Sequence, residues 1–430
     1  MKRYFWEAAV LAVLVLILRF MFALRPIPLT CIGAAGFFLL PVVDRCIRRN
    51  NETRVEFFEI TAYLEQLLCS YKRRSKIPSA IEDCSKLYPV KSRMGYVLQQ
   101  ALYILRTGEG VRNNAIVETA LKKVEDLYPS RRMRMIHIFL CRAEKTGGEK
   151  EEELDILLRD LQMWKRRVLL YQKKKQYIRG ESAAATILSI LLCYLSIRLI
   201  PWNLRERLTG TDVFQYTTAV VILFLIGAEV FLLHRLTGSW LDIQRLNAAE
   251  RRRRMKSYRK VKSGGKGISG YLAGRFCQRE VEREFPFWLL SLTLYLQQEG
   301  VYQAIQMCRT QREDFFDEEV QRLLDAIYEN PSGLQPFLDF FKELELAELQ
   351  TGMKLLYAVG SNSRADTGRQ LRFLVEQNSI VMDQSERNRF DSQAAGMAFI
   401  KQIPLIIACV KVVFDLILLL MITMGGYLII

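Results

Sequence analysis

The chain has 430 residues, half of them apolar, and carries 62 Lys and Arg against 46 Asp and Glu, a net charge of +16 that would attract nucleic acid, anionic lipid or acidic protein alike. Long apolar runs alternate with segments dense in Arg, Lys and Glu, the profile of membrane spans joined by soluble domains, which excludes one water-soluble globule. Nine scattered cysteines without a Cys-x-x-Cys pair fit a reducing compartment, and only two histidines, His137 and His234, leave no support for a zinc site.

Crossing about 30 Å of hydrocarbon takes about 20 apolar residues at about 1.5 Å each. The first such run lies between Tyr4 and Leu24 and the second between Ile27 and Val43, with Pro26 and Pro28 marking a tight turn between them. Lys2-Arg3 ahead of an apolar run suggests a secretory signal, but its length, Arg19 within it and the lack of a small-x-small cleavage pattern make it a retained span. A helical segment follows. Phe57, Ile60, Tyr63, Leu64, Leu67 and Leu68 form one stripe, Ile77-Pro78 starts a new helix, and Gly108-Glu109-Gly110 precedes another through Ile116 and Val124. Tyr128-Pro129-Ser130 is a break with Ser130 as the expected N-cap, and Thr146-Gly147-Gly148 is a turn before a long helix that enters the third span.

The third span runs from Ala183 to Ile200, closed by Pro201-Trp202, and the fourth from Phe214 to Leu233. Ser263-Gly264-Gly265-Lys266-Gly267 reads as a flexible linker, and a second helical segment has turns at Glu299-Gly300, Asn330 to Gly333, and Gly360 to Ser363. The fifth span begins near Ile403. The expected architecture is all-α: a polytopic helical membrane protein with two cytoplasmic helical-bundle domains. Its parts are a transmembrane hairpin (1–45), a first helical domain (46–180), a second hairpin (181–235), a basic linker (236–270), a second helical domain (271–401) and a terminal span (402–430). Basic residues flank the long segments, as at Arg45, Arg48, Arg49, Lys173 to Lys175, and Arg251 to Arg254, which predicts that both domains face the cytoplasm. The two segments share length, rhythm and a short echo, Ile77-Pro78-Ser79-Ala80-Ile81 against Val301-Tyr302-Gln303-Ala304-Ile305, which predicts an internal duplication.

No catalytic, cofactor or metal site is expected. Lys266 is followed by glycine where a P-loop requires Ser or Thr, and Glu149 to Glu153 open a helix whose dipole favours negative charge. The Arg251 run has Tyr258 alone beside it for base stacking, so a lipid-headgroup and topology role is expected there and no nucleic acid. Lys411 and Asp415 lie four residues apart in the fifth span and share a helix face, and Glu229 and Arg19 are further ionisable groups in spans. Structural pairing is expected of them. The competing reading is a transporter or channel using Lys411, Asp415 and Glu229.

The layout of helical domain, two-span hairpin, related domain and terminal span resembles the type II secretion F family, the platform proteins of type II secretion, type IV pili and Tad pili. Ala143-Glu144-Lys145-Thr146-Gly147 is similar to that family's Gly-Glu-x-Ser/Thr-Gly turn, with alanine in the first place. Val359 to Ser363 is the matching region of the second domain and lacks the glutamate, while Phe285-Pro286 is similar to the family's Phe-Pro opening. The two N-terminal spans resemble the extra pair of the Tad branch. The resemblance implies an inner-membrane, multi-pass scaffold without enzymatic activity. It would be homo- or hetero-oligomeric with other platform subunits, and would couple a cytoplasmic assembly ATPase to pilin or pseudopilin subunits. Glu144, Thr146 and Gly147 would be docking residues.

Overall fold

A computed structural model describes residues 2–108, 116–147, 151–237, 248–264, 267–296, 299–309, 314–361 and 399–427, together with Phe373, Glu376, Ile380, Gln384 and Arg387. Among these residues the fold is helical and has no strand. In chain order the helices are α1 (Lys2–Phe22), α2 (Pro26–Arg74), α3 (Ile77–Ser85), α4 (Arg93–Thr107), α5 (Ile116–Leu127), α6 (Arg131–Thr146), α7 (Glu151–Arg198) and α8 (Trp202–Gly210). They continue as α9 (Asp212–Leu236), α10 (Ala248–Lys262), α11 (Ile268–Leu296), α12 (Val301–Met307), α13 (Phe315–Glu329), α14 (Gln335–Asp339), α15 (Ala347–Ser361) and α16 (Ile403–Tyr427). The chain divides into two units, one of Met1–Phe57, Val168–Trp240 and Phe390–Ile430, the other of Phe58–Arg167 and Leu241–Arg389. The division falls inside α2 and α7, continuous helices of 49 and 48 residues.

The first unit holds the apolar helices. Among the described residues four helices, α2, α7, α9 and α16, are long and apolar enough to cross a membrane. Of the five expected spans, the first differs: α1 contributes a shorter apolar stretch, Ala9–Phe22. Leu18, Phe22, Ile32, Cys193, Ile197, Phe214, Ile222 and Ala408 pack as its core. Arg25, in the turn between α1 and α2, pairs with Asp212 and donates to the Gly210 carbonyl at 2.6 Å, while the Gln215 amide donates to the Ala23 carbonyl at 3.0 Å. Carbonyls that a helix end leaves without partners are satisfied here by a side chain from the next corner. The connection between the third and fourth expected spans contains a helix, α8, that the sequence pattern does not announce.

The second unit contains both of the charged helical segments. In its first half the predicted stripe is realised, with Ile60, Tyr63, Leu64, Leu67 and Leu68 fully buried beside Ile77, Ala80 and Ile81 of α3. Residue Ser130 occupies the N-cap position of α6 without a capping side-chain bond, whereas Ser92 caps α4 by accepting from the Gly95 amide at 3.0 Å. The second half is aromatic: Trp288, Phe316, Phe340 and Phe341 interlock at centroid distances from 4.7 to 6.1 Å. Asp314 starts α13 by accepting from the amides of Phe316 and Asp317, both at 3.1 Å.

Several boundaries differ from those expected. The linker 236–270 contains a helix, α10, whose Tyr258 sits in the aromatic core and whose Arg254 pairs with Glu280 at 2.7 Å. Periodicity conceals this because the buried residues of α10 are themselves Arg and Tyr. Phe285-Pro286 lies inside α11 rather than opening the domain, and Gly360 and Ser361 continue α15 where a turn was expected. The remaining expected turn residues, Asn362 and Ser363, lie outside the described residues, as do Glu109, Gly110, Gly148, Glu149, Gly265 and Lys266. The two halves meet along α6 and α11. Arg131 pairs with Glu284 at 2.5 Å, Arg142 pairs with Glu299 at 2.9 Å, and the guanidiniums of Arg131 and Arg132 each lie 4.8 Å from the Phe287 ring. Guanidinium planes stack on aromatic faces while their forks pair with carboxylates, which makes this contact specific as well as adhesive.

Candidate functional site

Lys411 and Asp415 share a face of α16, as their spacing requires, and pair there. Both are almost completely buried. Lys411 Nζ also donates to Thr217 Oγ1 at 3.3 Å and lies 4.3 Å from the Phe214 ring centroid, both on α9. An ammonium has three donors and no acceptor, so a carboxylate, a hydroxyl and a ring face complete its surroundings. Asp415 is less well served: Oδ1 takes the lysine, while Oδ2 is buried without a hydrogen-bond partner among the described residues.

Glu229 of α9 belongs to a separate polar contact with α7. It accepts from Ser182 Oγ at 2.7 Å and Thr186 Oγ1 at 2.6 Å. Ser182 and Thr186 lie one turn apart, so their hydroxyls converge on one carboxylate oxygen. Sequence reasoning missed these two residues and Thr217; the legible signal was hydroxyls at a four-residue spacing within an apolar helix. Arg19 is not part of either cluster in the contacts described. Lys401 and Glu181, 2.5 Å apart, form a further ion pair between α7 and the turn before α16.

Glu144 lies half-buried near the C-terminus of α6 and is used within the fold. Its Oε1 accepts from the Ile77 amide at 3.3 Å, one of the donors that the first turn of α3 leaves free, since Lys76 at the N-cap provides no capping side chain. Gly147 ends α6 with φ +67° and ψ −166°, a backbone region open to glycine, and its amide donates to the Ala143 carbonyl at 3.0 Å. Thr146 is helical, and its side chain lies outside the described residues. A corresponding contact exists in the second half: a Cβ on Gly360 would come within 2.9 Å of the Val301 side chain, at the first residue of α12. Gly360, near the end of α15, thus lies close against the first residue of α12. Exchange of Glu144 for Ala is expected to cost about 1 kcal/mol of stability through the lost cap, with Glu144→Gln close to wild type in thermal unfolding.

His137 is a core residue. Its Nδ1 lies 3.0 Å from Glu125 Oε1 and its Nε2 lies 3.1 Å from the Tyr63 hydroxyl. A carboxylate only accepts, so Nδ1 donates to Glu125. Burial acts to raise the Glu125 carboxyl, but the bonds from His137 and Arg134 outweigh it and hold the group below its ordinary range. A depressed carboxylate stabilises the fold above its unfolded value, and that stability is lost as pH falls through the folded one. Thermal unfolding followed from pH 7 to pH 3 is therefore expected to show an acid-side loss that Glu125→Gln reduces. His234 lies at the end of α9, its Nδ1 3.9 Å from Cys46 Sγ.

Among the described residues no group of three or more His, Cys, Asp or Glu side chains could hold a metal ion. Among the described residues the fold thus defines a helical chain with four helices able by length and composition to cross a membrane, and a helical unit built of two halves. Comparison with protein-family models, with curated proteins and with solved structures finds no match to this chain.

Proposed function

We propose that the chain is a non-enzymatic inner-membrane platform of the type II secretion F kind. In this reading it couples a cytoplasmic assembly ATPase to the extraction of pilin-like or pseudopilin subunits from the membrane. The observation that carries it is the repeated order of the second unit. A long helix is followed by a short one, α3 or α12, that opens with an Ile-x-x-Ala-Ile or Val-x-x-Ala-Ile pattern, and then by a 15-residue helix. Further on, a helix in each half ends against the start of the short one. A motor acting on such bundles would transmit displacement through α2 and α7, which run without a break from charged to apolar sequence.

The test is co-purification of the full chain with a secretion-type ATPase. Absence of any such complex, with the protein folded, removes this reading. Glu144→Gln keeps an acceptor for the Ile77 amide while removing the charge, so it separates docking from capping. Full binding by that variant takes Glu144 out of the contact.

The buried Lys411–Asp415 pair supports a second reading, a transporter or channel, because a charged group inside an apolar helix bundle commonly marks a pathway. Flux in proteoliposomes abolished by Asp415→Asn would favour it over the platform.

A further inference from the structure

Helix α10 has two faces of different character. Arg254 and Tyr258 point inward, whereas Arg252, Lys256 and Arg259, spaced by four and three residues, lie on the outward face and are exposed. Among the described residues no carboxylate pairs with these three. The neighbouring start of α11 is equally unusual, since Ile268, Tyr271 and Leu272 are 82%, 63% and 60% exposed. Lys260 Nζ donates to Ser269 Oγ at 2.9 Å, which brings the C-terminal end of α10 beside the first turn of α11. Arg275 donates to the Tyr271 hydroxyl at 3.1 Å and adds a further cation beside the apolar group.

The geometry points to a membrane-docking surface: the outer face of α10 and the first turns of α11 rest on anionic phospholipid headgroups. An acidic protein would satisfy the cations and leave Ile268 and Leu272 in water. The headgroup region of a bilayer takes all of them: phosphates meet Arg252, Lys256 and Arg259, the acyl boundary takes the aliphatic side chains, and tyrosine suits the level between. In the sequence only a short connection, 237–247, separates α9 from α10, so the chain tethers this face to whatever membrane holds α9. The inference stands apart from the platform reading and requires only that the apolar helices lie in a bilayer.

The experiment reconstitutes the full chain into nanodiscs of phosphatidylcholine alone or with about a third of phosphatidylglycerol, and reads amide hydrogen exchange over α10 and the start of α11. The anionic discs should slow exchange about tenfold there, with the gain lost in about 0.5 M salt, as expected of screened surface charges. Arg252→Glu/Lys256→Glu/Arg259→Glu should abolish the lipid dependence. Ile268→Ser/Leu272→Ser, which leaves the charge unchanged, should reduce it. Exchange over α13, in the buried core, serves as the folding control. Equal exchange in the two lipids, or wild-type behaviour of either variant, overturns the inference. So does protection in phosphatidylcholine discs by added polyglutamate matching that in anionic discs, which would assign the face to an acidic protein.

Discussion

Asp415→Leu is expected to lower the stability of the apolar unit by about 3–5 kcal/mol, while the double variant Lys411→Met/Asp415→Leu returns close to wild type. The asymmetry follows from where the charges are. Lys411 is 2% exposed, and Thr217 with the Phe214 ring cannot neutralise an ammonium in an apolar surrounding once the carboxylate is gone. Two apolar side chains of similar volume remove both charges together, and with them the cost of keeping either from solvent. Among the described residues Asp415 Oδ2 has no hydrogen-bond partner, so the wild-type pair already carries part of that cost, and a purely structural pair gives the double variant no reason to fall below wild type. Thr217→Val removes one hydroxyl bond between helices and is expected to cost well under a third as much, about 0.6 kcal/mol. Reversible unfolding in mixed micelles reads these differences. A double variant as unstable as the single one would show that the two side chains act separately, against the geometry.

The same pair illustrates what was legible beforehand. Spacing of four residues on a helix fixes a shared face whatever surrounds it, so the pairing of Lys411 with Asp415 could be read from sequence. Its partners on α9 could not, because Thr217 and Phe214 reach it through tertiary packing that no local pattern encodes. Apolar length likewise announced α2, α7, α9 and α16, and the 3-4 stripe from Ile60 to Leu68 announced the first bundle. Glu144 shows the opposite limit. A resemblance in a five-residue motif singled it out as a docking residue, while its hydrogen bond to the Ile77 amide depends on α6 returning to α3 across 67 positions. The approach of Gly360 to Val301 was not legible either, because it depends on α15 returning to α12.

Tyr258→Ala is expected to destabilise the second unit by about 3–5 kcal/mol, the range for truncating a buried aromatic side chain. The ring is 1% exposed and lies 5.0 Å from Phe315 and 5.8 Å from Phe341, centroid to centroid, so its loss opens a cavity at the junction of α10, α13 and the segment after α14. Aromatic pairs of this kind add to the area term, and the neighbouring rings are held by each other and cannot close the gap freely. Arg252→Ala, six residues earlier on the outward face, is expected to change stability by no more than about 0.5 kcal/mol. The contrast decides between two pictures of residues 248–262. A solvated basic tether would tolerate both substitutions equally, because neither side chain would leave a packed site. A helix seated in the aromatic core makes one costly and the other silent, and thermal unfolding of the two variants in detergent, read by near-ultraviolet circular dichroism of the aromatic cluster, separates them directly.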